Sequence, residues 1–133
     1  MGDLRKSLTK AQIAGTVCKF QKLENLSYKY VGIYKYIISL VHDEILCSEI
    51  KEKIAILEDY DAKHEANLIK TLVSYVKNNG DFAATSEECF QHTNTIRYRI
   101  KKAEQLLDLE ESTAEQEISI IIRCYHLIKN GLD

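Results

Sequence analysis

The chain has 133 residues, 45% of them apolar and 29% charged, with a formal net charge of −2. That mix describes a soluble globular protein with room for one sizeable core, and it excludes a disordered tail or a basic protein that coats nucleic acid indiscriminately. No apolar run nears the ~20 residues of a membrane span, and the opening MGDLRKSLTK lacks the apolar core of a secretory signal, so the expected compartment is the cytoplasm.

Zero prolines and five glycines leave few helix breakers, and apolar residues recur mostly at helical spacing. The chain is therefore expected to be almost entirely helical. Thr9-x-x-Gln12 has the form of a capping box, and Ile13, Val17, Phe20 and Leu23 mark one face of a helix over 10–23. Residues 26–30 are aromatic and alternating, a short strand or extended linker that Gly32 interrupts before an apolar helix over 33–41. Asp43 or Ser48 starts the next helix, with Ile45, Leu46, Ile50, Ile54 and Leu57 on its core face to about Glu58. Tyr60-Asp61-Ala62 reads as a hinge. A helix over 65–77 follows, with Leu68, Leu72, Val73 and Val76 inward, and Asn78-Asn79-Gly80 ends it through a left-handed residue. A short helix begins at Phe82, Ala83 and Ala84 and is closed by Phe90; a longer one covers 93–107. Ser112-x-x-Glu115 is a second capping-box pattern, before a helix whose Ile118, Ile121, Ile122, Tyr125 and Ile128 form a wide apolar face up to Asn130-Gly131.

Catalytic signatures are absent: there is no G-x-x-x-x-G-K-S/T loop, no G-x-G-x-x-G and no H-E-x-x-H. Paired acids such as Glu87-Glu88 are adjacent in sequence, so they point to different helix faces and read as solvated. The expectation is no enzyme, no catalytic residue and no cofactor. Cys18, Cys47, Cys89 and Cys124 form no C-x-x-C pair and read as reduced core thiols. With His42, His64, His92 and His126 they make no recognisable metal-ligand set.

The chemistry concentrates in 91–107, which carries four Arg or Lys against one Glu, whereas 108–117 carries five acids and no base. At 100° per residue, Ile96, Ile100, Ala103 and Leu107 form one stripe. Asn94, Tyr98, Lys101 and Gln105 lie opposite, flanked by Arg97 and Lys102. A basic face taken by charge alone is more often merely solvated. On a helix that enters a DNA groove N-terminus first, however, Thr93, Asn94 and Arg97 are placed to reach bases, through an amide suited to adenine and a guanidinium suited to guanine. Thr95, Tyr98, Arg99, Lys101 and Lys102 are placed for phosphate or sugar, with His92 at the turn beside the backbone.

The segment NTIRYRIKKAEQLL, preceded by FAATSEECF, resembles the C-terminal helix-turn-helix of the PucR family, bacterial regulators of purine and sugar-diacid catabolism. The resemblance covers about 59–130 and is most specific at Asn94-Thr95-Ile96-Arg97-Tyr98-Arg99. Ser86, Cys89 and Gln91 stand where the family usually has small or aliphatic residues, and Thr93 where arginine is common, so the sequence preference is expected to differ. The resemblance implies an all-α helical bundle containing a helix-turn-helix unit, with additional N-terminal helices. Residues 1–58 then read as the tail of an upstream regulatory domain, 59–133 as the DNA-binding domain, and the chain as a C-terminal fragment. It implies double-stranded DNA as partner and any effector ligand sensed upstream; because one reader covers only a few base pairs, a homodimer or larger assembly is expected in the intact regulator, and the lack of a long apolar run predicts no membrane. The alternative is a helical protein-interaction or dimerisation module without DNA binding, using the surfaces of 28–41 and 118–128.

Overall fold

The computed structural model describes residues 32–130. The helix expected over 10–23 and the extended stretch 26–30 lie outside the described residues. Among those described there are six helices and no strand: α1 Tyr34–Val41, α2 Glu44–His64, α3 Leu68–Lys77, α4 Phe82–Cys89, α5 Thr93–Leu106 and α6 Ala114–Lys129. The bundle is all-helical, as expected, and none of its helices is long and apolar enough to cross a membrane.

The described residues divide into two compact units, one of 51–122 and the other of 32–50 with 123–130. Within the second, α1 buries Ile37, Ile38 and Val41, and the Arg123 guanidinium lies 5.5 Å from the Tyr34 ring centroid. Asp43 starts α2, its carboxylate accepting the N–H groups of Ile45 and Leu46 at 3.1 and 3.0 Å. Cys47 and Ile50 turn inward, whereas Ile45, expected on the core face, is 82% exposed. Burial, with the neighbouring Cys47 adding to it, pushes the Cys124 thiol up to about 12. Cys47, Cys89 and Cys124 are free thiols.

The unit of residues 51–122 begins with the rest of α2, which buries Ile54 and Leu57. The expected hinge at Tyr60-Asp61-Ala62 is instead helical, because α2 runs unbroken to His64. Asp61 faces forward and its two carboxylate oxygens accept the N–H groups of Leu68 and Ile69, at 2.7 and 3.1 Å. It thus satisfies donors that the first turn of α3 leaves open. The connection is tight because Glu65 and Asn67 adopt positive φ, 49° and 56°; a helix over 65–77 was therefore too long by three residues at its start. Asp61→Ala is expected to destabilise this unit by about 1–2 kcal/mol, a typical loss for a helix cap, seen as a lower urea midpoint with an unchanged slope.

α3, α4 and α5 pack on one another around Leu68, Leu72, Ile96, Ile100 and Ala103, all buried. Each junction has a local cause. Asn79 and Gly80 stop α3 at φ 53° and 81°. Asp81 caps α4 by accepting from Ala84 N at 3.1 Å. The turn between α4 and α5 passes through Phe90 at φ 55°, and the Ser86 hydroxyl donates to the Gln91 carbonyl across it. The capping box expected at Ser112 and Glu115 is out of register, because α6 starts at Ala114 and the Glu117 N–H donates to the Thr113 carbonyl; the Glu115 carboxylate accepts from the Tyr75 hydroxyl at 3.2 Å. Ile118, Ile121 and Ile122 of α6 are buried.

Candidate nucleic-acid interface

Two short helices joined by a tight turn, with the second turning one face outward, make the frame of a helix-turn-helix. The buried stripe of α5 is Ile96, Ile100 and Ala103, continued by Leu107 just beyond it, at 0, 6, 0 and 4% exposure. Opposite, Asn94, Tyr98, Lys101 and Gln105 are exposed. Periodicity alone places this face, and the fold leaves it uncovered.

The residues expected at the site differ in how they are held. His92 caps α5: its Nδ1 accepts the Asn94 N–H at 3.0 Å, so the ring proton sits on Nε2 and is directed away from the helix backbone. Thr93 and Thr95 are half-buried in the first turn, while Asn94 and Tyr98 stand on the exposed ridge. Arg97, on one flank, stacks over the Phe82 ring with 4.2 Å from guanidinium carbon to ring centroid.

Arg99, on the other flank, turns towards α3 and donates from Nη1 to the Thr71 hydroxyl at 3.0 Å. Thr71 is fully buried and passes its own proton to the Asn67 carbonyl at 2.8 Å, so its oxygen serves both neighbours. Lys102 lies 5.3 Å from the centroid of the Tyr60 ring, which itself packs against His64 at 4.3 Å. Lys101 is 3.6 Å from the Glu111 carboxylate, with 57% and 89% of the two side chains exposed. An ion pair so open to water is worth little and exchanges readily for another anion.

The structure therefore brings Asn94, Tyr98 and Lys101 together on an open face. It attaches Arg97, Arg99 and Lys102 to α4, α3 and α2. Phe82, Thr71, Tyr60 and Glu111 were not singled out as site residues from sequence. Their roles depend on contacts between different segments of the chain, 10 to 42 residues apart, for which local spacing carries no signal.

Beyond the cationic ridge the charge reverses. Lys101, Glu104, Gln105, Asp108, Leu109 and Glu111 line a concavity of about 330 Å³. Burial raises the Glu104 carboxyl above its ordinary value; Lys101 opposes this, and Glu115 and Glu111 add to it. Among the described residues no group of His, Cys, Asp or Glu is placed to hold a metal ion.

Residues 68–122 match the family model of the PucR C-terminal helix-turn-helix domain, a span that runs from the start of α3 into α6. Two relatives come from Bacillus subtilis (strain 168). The proline-responsive transcriptional activator PutR is 32% identical over 91 residues, 67% of this chain and 22% of PutR. The DNA-binding transcriptional activator AdeR is 25% identical over 96 residues, 72% of this chain and 23% of AdeR. The chain thus spans under a quarter of the length of either relative. No solved structure matches it. With α4 and α5 as its helix pair and Asn94, Tyr98 and Lys101 on its open face, the chain carries a PucR-family C-terminal helix-turn-helix domain.

Proposed function

We propose that the chain is the DNA-reading part of a transcription regulator, with α5 seated in the major groove. One observation carries the reading: the helix that buries Ile96, Ile100 and Ala103 leaves Asn94, Tyr98 and Lys101 exposed on its opposite side. Asn94 pairs with an adenine edge and Arg97 with guanine; Thr93 stands beside them in the first turn. Lys101, Tyr98, Thr95 and the His92 Nε2–H contact phosphate or sugar. Arg99 and Lys102 reach phosphates from the flanks, in addition to their contacts with Thr71 and Tyr60.

Residues 59–133 form the DNA-binding domain, and 1–58 are the tail of a regulatory domain that senses any effector. One such reader spans only a few base pairs, so the intact regulator binds as a homodimer or larger assembly on two half-sites about one helical turn apart.

The test is selection of bound sequences from a random DNA pool with the full-length protein, followed by a salt titration of the winner. The expected result is a recurring half-site whose affinity falls steeply as salt rises. Recovery of no common sequence, with salt-insensitive binding, sinks the proposal and favours a protein-interaction module.

A further inference from the structure

The Arg97 guanidinium lies on a ring that is itself supported from behind. Phe82, beneath it at 4.2 Å, is the first residue of α4 and rests against Tyr75, ring centroids 5.3 Å apart and planes tilted by 48°. Tyr75 is buried at 6% exposure, and its hydroxyl donates to Glu115 Oε1 at 3.2 Å. Burial first, and Glu115 after it, push the Tyr75 phenol up to about 12, so it stays a donor across the neutral range. Gly80 lets the carboxylate come close: a Cβ there would stand 3.0 Å from Glu115 Oε1, and φ is +81°. Glu115, Tyr75, Phe82 and Arg97, from α6, α3, α4 and α5, thus form one brace that ends at the DNA face.

A guanidinium that lies flat on a ring keeps its in-plane N–H edge open, so a contact at this distance and a bidentate hydrogen bond are compatible. A side chain already restrained in one direction also loses less freedom on binding than a free one. From this geometry, and resting on the proposed seating of α5 in the groove, we infer that Phe82 is a positioning residue for base reading. Its ring directs the Arg97 N–H edge to the paired acceptors of a guanine.

The test is a double-mutant cycle in the full-length protein, on its selected DNA and on a scrambled duplex. Phe82→Leu is expected to weaken binding to the selected site by about twofold to tenfold, the range for the ordering cost that a pre-positioned side chain avoids. The loss should be confined to the base that Arg97 reads, and Phe82→Tyr, which keeps the ring, should restore binding. Arg97→Lys should lose at least as much as Phe82→Leu, because an ammonium has no planar fork to present. In an Arg97→Ala background, Phe82→Leu should change nothing further. Additive losses in the cycle overturn the inference, because a purely structural Phe82 acts whether or not the arginine is present. An equal loss on selected and scrambled DNA also overturns it, since Arg97 is then on phosphate, which offers the same acceptor pair without sequence. Both outcomes leave the major-groove proposal standing, whereas a wild-type protein that prefers no sequence removes that proposal itself, and the inference with it.

Discussion

Replacing Arg97 and Lys101 together by alanine is expected to abolish selective DNA binding while leaving the fold intact. The two residues act differently, and a salt titration separates them. An arginine bidentate to guanine is worth about 1–3 kcal/mol of discrimination, so Arg97→Ala alone should cost roughly fivefold to 150-fold on the selected site and relax preference at one base. In the proposed seating Lys101 meets phosphate, so its loss should weaken all sequences alike and flatten the plot of log affinity against log salt by about one unit. Neither side chain is buried, and surface substitutions of this kind shift stability by within about 0.5 kcal/mol. The internal partner of Lys101 supplies a control of opposite sign. Glu111 lies 3.6 Å from the ammonium and would compete with phosphate for it in the proposed seating, so Glu111→Gln should raise affinity by about twofold, the scale of an exposed ion pair. A mobility shift unchanged in the double variant removes this face as the DNA surface.

How much of this was legible in the sequence depends on the range of the interaction. The α5 stripe was readable because Ile96, Ile100, Ala103 and Leu107 repeat at helical spacing, and all four are buried. The stop at Asn78-Asn79-Gly80 was readable because left-handed backbone favours asparagine and glycine, and both Asn79 and Gly80 adopt it. Elsewhere local pattern misled. Glu65 also takes positive φ, although glutamate does not favour it, so the start of α3 was misplaced. Tyr60-Asp61-Ala62 read as a hinge, yet Asp61 remains in α2 and caps the following helix. Ser112 and Glu115 have the spacing of a capping box, but α6 starts at Ala114, and the Glu115 carboxylate accepts from Tyr75, 40 residues away.

The same distinction governs the site. Sequence could say which α5 residues are outward, because that follows from one helix's own period. It could not say what holds the arginines, because Thr71 and Arg99 are 28 residues apart and Phe82 is on another helix. The structure changes the picture of the cationic face from loose charges to separately tethered ones, with α2, α3 and α4 each holding one. An open ridge with restrained flanks suits selective reading better than a uniformly mobile basic surface, which binds any duplex.

The largest stability effect should come from the other side of the same helix. Ile96→Ala removes a side chain with no exposed surface from the point where α5 meets its neighbours, and large-to-small changes at such sites cost about 2–5 kcal/mol. Against a typical total of about 5–15 kcal/mol for a domain, that is enough to populate unfolded protein near physiological temperature. Tyr98, two residues later and 64% exposed, makes the informative comparison. Tyr98→Ala should leave the urea midpoint within error and still weaken DNA binding, because the ring belongs to the open face. Ile96→Ala should lower the midpoint, yet bind DNA with near-native salt dependence in the fraction that remains folded. Helical period requires the two effects to separate over this two-residue step, since it turns the chain about 200°. A pair of variants that lost stability and binding together, in equal proportion, would show that α5 presents no distinct outer face.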